Sequence, residues 1–205
     1  MARVLVLFAH PALEHSRVHR GLLRELPSDP GLTFHDLYEA YPRLDIDVER
    51  EQALLTEHDV VAFQHPFYWY STPPILKQWQ DLVLEHGWAY GSEGDALAGK
   101  SFISLISAGG GEAAYCSAGY NRFTVRQLLA PVEQTAELCG MDFLPPFVVF
   151  GTHRLDETRI ADQARRYRRL LEALLAGEPD AEERERLATA ITINGFVSRL
   201  SGAET

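Results

Sequence analysis

Val4-Leu5-Val6-Leu7-Phe8-Ala9-His10-Pro11 is the stretch that decides the fold. Residues 4–9 are apolar without alternation, and the run stops at His-Pro. A strand with one wet face would alternate, so a continuous run means a strand buried on both faces. It is too short for a signal peptide's apolar region and leads to no small-residue cleavage site. The next residues, 16–26, show helical spacing and stop at Pro27, as expected since the residue before a proline disfavours helix. Strand followed by helix is the unit of a parallel sheet.

That unit recurs outward along the chain. Further apolar runs lie at 32–36, 60–64, 102–107 and 147–151. Helical patterns lie at 48–57, 74–86, 124–139 and 157–175. In the last, Ile160, Ala164, Tyr167, Leu170, Leu171 and Leu174 recur at spacings of three and four. Pro73-Pro74 opens one helix, where a missing N–H costs nothing. Gly177, followed by Pro179, closes the last. Five buried strands with intervening helices predict a doubly wound α/β fold of flavodoxin-like architecture, a parallel sheet of order 2-1-3-4-5 with helices on both faces. Residues 1–176 form this domain. Residues 177–205 form a helical extension, either packing on the body or reaching to a second copy. They are not an independent domain.

The 205 residues fit one large domain. Asp plus Glu number 29 against 19 Lys plus Arg, a formal charge of −10. Lys77 and Lys100 are the only lysines, which excludes a broad nucleic-acid or anionic-lipid surface. Cys116 and Cys139 form neither CxxC nor a zinc spacing, and two cysteines make no disulfide framework. No run approaches the roughly 18 apolar residues of a membrane span. A cytoplasmic protein is expected, peripheral at the inner face of the membrane if a membrane partner holds it. Eight scattered histidines without an HExxH pattern predict no metal site.

Sheets of this kind bind ligands beyond the carboxyl ends of their strands, so the segments after strands one, three and four should share a rim. After strand one, His10 and the segment Ser16-Arg17-Val18-His19 open a helix. Its free N–H groups and dipole suit a phosphate; a plain capped helix is the alternative. After strand three come Phe67, Tyr68, Trp69 and Tyr70, four consecutive aromatics before Pro73-Pro74. They suit the wall of a planar heteroaromatic ring. After strand four, Ser107-Ala108-Gly109-Gly110-Gly111 either lets the backbone approach a ligand or makes a flexible turn. His65-Pro66 reads as a structural turn more readily than as a catalytic histidine.

Together, "FAHPALEHS", "LYEAYPRLDID", "QHPFYWYSTPPILKQW", "HGWAYG", "SAGGGE" and "CGMDFLPPF" resemble the NAD(P)H:quinone oxidoreductase family of flavodoxin-like flavoproteins. Within it, the resemblance is nearest to the Kef-type ancillary oxidoreductases of glutathione-regulated potassium efflux. It covers roughly residues 4–176. It implies FMN, with FAD as the alternative, and NAD(P)H as co-substrate. The implied reaction is a two-electron ping-pong hydride transfer from NAD(P)H through flavin N5 to a quinone.

The resemblance also places residues. His10 and Ser16 to His19 would meet the flavin phosphate, and Phe67 to Tyr70 would line the isoalloxazine. Ser107, Ala108, Gly109 and Gly110 would close the pyrimidine side. Tyr90 would sit over the substrate face, and Tyr90 or Tyr115 would hydrogen-bond the quinone. Three positions depart from the family pattern. His19 stands where Asn or Ser is frequent, Ser107-Ala108 where Thr-Thr is common, and Asn121 where animal quinone reductases carry a His. The implied partners are a second copy in a homodimer and a potassium efflux transporter. An ancillary role bound to that transporter, with or without enzymatic activity, is the alternative function, and an electron-carrying flavodoxin a third.

Overall fold

In the computed structural model, which describes residues 1–177 and 179–200, the run at 4–9 is a fully buried strand, β1 (Val4–Phe8). It lies between β2 (Leu32–Asp36) and β3 (Val60–Pro66), parallel to both. β3 pairs in parallel with β4 (Ser101–Ala108). The fifth position is filled by two short pieces, β5 (Asp142–Phe143) and β6 (Phe147–Phe150), each pairing in parallel with β4. The observed order is β2-β1-β3-β4-β5, as the apolar runs predict, with β6 continuing the outer position. The interruption falls at Leu144-Pro145-Pro146, where two missing N–H groups cannot donate to a ladder.

Alternate residues of β1 feed opposite cores. Leu5 and Leu7 face the layer formed by α2 (Leu37–Ala40), α3 (Val48–Glu57), α4 (Pro74–Val83), α5 (Val125–Leu128) and α6 (Ala130–Leu138). Val4 and Val6 face α1 (Arg17–Leu23) and α7 (Glu157–Ala176). Each fully buried Leu or Val contributes about 1.5–3 kcal/mol. The expected helix at 124–139 is divided at Leu129. Pro131 enters the second helix at its first turn, where its missing N–H is harmless. The helix expected to reach 86 ends at Val83, and the chain turns through Gly87 (φ 84°). Gly177 (φ 97°) caps α7 in the left-handed conformation, where its N–H bonds Leu174 O.

α8 (Ala181–Leu187) and α9 (Asn194–Leu200) follow. Leu187, Ile193, Phe196 and Val197 are buried in the α1/α7 core. Arg126 donates to Ala188 O and Ala190 O. Arg166 donates to Asn194 O. Among the described residues, no helix is long and apolar enough to cross a membrane.

Candidate functional site

A cavity of about 430 Å³ opens at the carboxyl ends of β1, β3, β4 and β6. Its lining comes from four segments: His10, Ala12 and His15 to Val18 after β1, Pro66 to Tyr68 at the end of β3, Ser107 and Gly109 at the end of β4, and Thr152 and His153 after β6. No carboxylate among the described residues lines it.

The β1 segment supplies donors. Ser16 is the N-cap of α1, its Oγ accepting from His19 N–H at 3.1 Å. The hydroxyl proton of Ser16 stays available. The N–H groups of Arg17 and Val18, first in the helix, take no acceptor among the described residues. Ala12 N–H donates to His10 Nδ1 at 3.2 Å, which fixes neutral His10 with its proton on Nε2. Burial lowers the pKa of His10 and favours that neutral form. The Arg17 guanidinium pairs with Glu157 at 2.7 Å. Both side chains are largely exposed, and such pairs are worth about 0–1 kcal/mol, so an anion in the cavity can compete for the arginine.

His19 does not line the cavity. It is fully buried beneath it, with Nε2 2.9 Å from Ser107 Oγ. Burial, then the neighbouring His10 and His65, pushes its pKa well below 6.5. His65 and Pro66 are the last two residues of β3, paired with Ile106 and Ser107 of β4, rather than the structural turn expected of His-Pro. His65 donates from Nδ1 to Pro66 O, and burial lowers its pKa to about 4.

The aromatic run divides. Phe67 is buried, its ring tilted 6.4 Å from Tyr115. Tyr68 lines the cavity beside His10. Trp69 and Tyr70 have φ of 49° and 63°, and Ser71 N–H bonds Tyr68 O at 3.0 Å. Two positive φ values at the centre of a turn match type I′, a conformation dominated by Asn and Gly and strained for an aromatic. The turn holds Trp69 out of the protein, 92% exposed, and leaves the Trp69 and Tyr70 N–H groups without acceptors among the described residues. Tyr70 donates to Asn121 Oδ1.

Of the glycine segment, Gly109 lines the cavity. A Cβ there would lie 2.9 Å from His153 Nε2. Ala108 is buried, and Gly110 packs under Tyr115, where a Cβ would lie 3.1 Å from the ring. Neither Tyr90 nor Tyr115 lines the cavity. Tyr90 meets His86 edge-on at 5.4 Å, and Tyr115 is 8% exposed between Phe67 and Phe150. Thus His10, Ser16, Arg17, Val18, Phe67, Tyr68, Ser107 and Gly109 converge on one cavity, while Trp69, Tyr70, Ala108, Gly110, Tyr90, Tyr115 and the His19 ring stand back from it. Sequence reasoning overlooked Thr152 and His153. Their signal was present: Gly151-Thr152-His153 directly follows the fifth apolar run.

The chain belongs to the flavodoxin-like fold family, whose model matches residues 2–171. It is 44% identical over 168 residues to the glutathione-regulated potassium-efflux system ancillary protein KefF of Klebsiella aerogenes, covering 82% of this chain and 94% of that one. General stress protein 14 of Treponema denticola, solved in complex with FMN, superposes with a TM-score of 0.79 at 39% identity, covering 84% and 99% of the two chains. An NADPH-quinone reductase from P. pentosaceus superposes at 0.74 with 30% identity, covering 82% and 96%.

Proposed function

We propose that this protein is a flavin-dependent NAD(P)H:quinone oxidoreductase that uses FMN. The carrying observation is a donor-rich cavity with no lining carboxylate among the described residues, in a chain of charge −10. Only local groups can hold an anion against that field. The Arg17 and Val18 N–H groups, Ser16 Oγ–H, His10 Nε2–H and the displaceable Arg17 guanidinium suit a phosphate. The volume lies within the usual 300–1,000 Å³ of small-molecule sites. Gly109 is a position where a side chain would collide with His153. The relatives bound to FMN and named as NADPH-quinone reductases support the same reading.

Flavin held there would supply two-electron hydride chemistry between NAD(P)H and a quinone, in the ping-pong order proposed. The protein's part is to bind and orient. Tyr68, with Phe67 behind it, walls the ring, and the exposed Trp69 extends that wall beyond the cavity mouth. The free N–H groups of Trp69 and Tyr70 and that of Gly109 stabilise negative charge near it. Ser107 closes the far side, with Ala108 buried behind it. Tyr90 and Tyr115 reach a quinone oxygen only with movement of their loops or with a second copy completing the site. Trp69 and Tyr120, both above 90% exposed, give a homodimer apolar surface to cover.

A second reading rests on the likeness to KefF: an ancillary subunit docked on a cytoplasmic domain of a potassium efflux transporter, with or without turnover. Co-purification with such a transporter and ion-efflux assays test it. Heat release of the cofactor followed by chromatography tests the enzyme reading, with FMN expected and FAD the correcting result. Parallel double-reciprocal lines for NADPH and quinone support ping-pong; intersecting lines refute it.

A further inference from the structure

Ser107 stands at the carboxyl end of β4, on the cavity wall. Its main-chain oxygen accepts from Phe67 N–H at 2.8 Å. Its hydroxyl meets one protein group among the described residues, His19 Nε2 at 2.9 Å. His19 is held firmly. Its N–H is on Ser16 Oγ, and its ring lies 5.8 Å from Phe8 and 5.0 Å from His10.

The hydroxyl and the imidazole have one consistent proton arrangement. Burial and the neighbouring histidines keep His19 neutral, with one ring N–H. His19 Nδ1 is buried without a partner. If the proton were on Nδ1, a buried donor would be left unpaired, the rarer and more costly defect; an unpaired nitrogen lone pair is better tolerated. The proton therefore lies on Nε2, and Ser107 Oγ accepts it. No protein acceptor then remains for the Ser107 hydroxyl proton among the described residues.

We infer that His19 is a positioning residue that donates to Ser107 Oγ from beneath the cavity and so commits the Ser107 hydroxyl to donate to an acceptor oxygen of the bound ligand. On the flavin reading of the site, which this step assumes, that oxygen belongs to FMN.

Two measurements test it. The first needs no ligand: ¹⁵N NMR of the imidazoles in the full-length protein. The expected result is His19 protonated at Nε2 with a bare Nδ1; protonation at Nδ1 overturns the inference. The second is FMN affinity of the flavin-stripped protein by fluorescence quenching. Ser107→Ala and His19→Phe should each weaken FMN about tenfold, the scale of one net hydrogen bond. The double variant should bind no worse than Ser107→Ala, and His19→Gln, which keeps an N–H donor, should recover most of the loss. Additive losses, or unchanged affinity in Ser107→Ala, overturn the inference. If His19→Phe fails to fold, Ser107→Ala and the NMR result decide. Wild-type protein that takes up neither FMN nor FAD defeats the flavin reading itself, a failure distinct from a wrong tautomer.

Discussion

Asn194 pairs its side-chain amide with both main-chain groups of Val148. Val148 N–H donates to Oδ1 at 3.0 Å, and Nδ2 donates to Val148 O at 2.8 Å. Val148 lies in β6, the outermost strand, so a single side chain stands in for a neighbouring strand and occupies a pair of edge groups that otherwise invite another chain. β6 also carries the chain to Thr152 and His153 at the cavity. The extension beyond α7 thus supports the strand that completes the cavity wall.

Asn194→Leu removes both bonds and leaves two main-chain groups unpaired. It should destabilise the protein by about 2–6 kcal/mol, at about 1–3 kcal/mol per unsatisfied buried group. Urea unfolding reads the loss. An unchanged midpoint would mean that solvent satisfies Val148 without help.

The strained turn at Trp69-Tyr70 should trade stability for binding. Glycine relieves about 1–2 kcal/mol of left-handed strain and costs about 0.5–1 kcal/mol in chain entropy. Trp69→Gly should therefore raise the urea midpoint slightly while weakening FMN binding by about tenfold or more. Unchanged flavin affinity would refute Trp69 as part of the ring wall.

Much of this was legible in the sequence, for physical reasons. Strands buried on both faces leave unbroken apolar runs, so the five-position sheet and its order were readable. The Ser16 cap and the Gly177 stop were readable because one residue carries each. The division of the helix at Leu129 was missed because apolar spacing continues across it. The strand ending in Phe143 was missed because two residues make no pattern. Within the site, the sequence named the rim segments but not which side chains turn inward. The φ values at Trp69 and Tyr70 and the burial of His19 arise from tertiary packing, which linear spacing does not encode. The engagement of Arg17 by Glu157, 140 positions away, is of the same kind.

Gly109→Ala would bring its Cβ within 2.9 Å of His153 Nε2. His153 is exposed and can swing aside, so stability should change by no more than about 0.5 kcal/mol. The altered cavity mouth should still weaken FMN several-fold. Equal affinity in calorimetric titration would remove Gly109 from the site.

Stability should fall in mild acid. Burial holds His65 neutral, its pKa lowered from 6.5 to about 4 in the folded state. In the unfolded chain it protonates near 6.5. Its contribution is therefore intact above pH 6.5 and is lost as pH falls from there toward 4. Between pH 7 and pH 5 the loss should be about 2 kcal/mol. His65→Gln should flatten that slope in urea titrations at the two pH values; an identical slope would show that other groups carry it.

The most direct test of the central claim is an anaerobic titration of the purified, FMN-loaded protein with NADPH, followed by a quinone. A yellow protein with one FMN per chain is expected, whose absorbance near 450 nm bleaches about stoichiometrically with NADPH and returns on addition of the quinone. A colourless protein that takes up neither FMN nor FAD, or a bound flavin that NAD(P)H does not reduce, would contradict it.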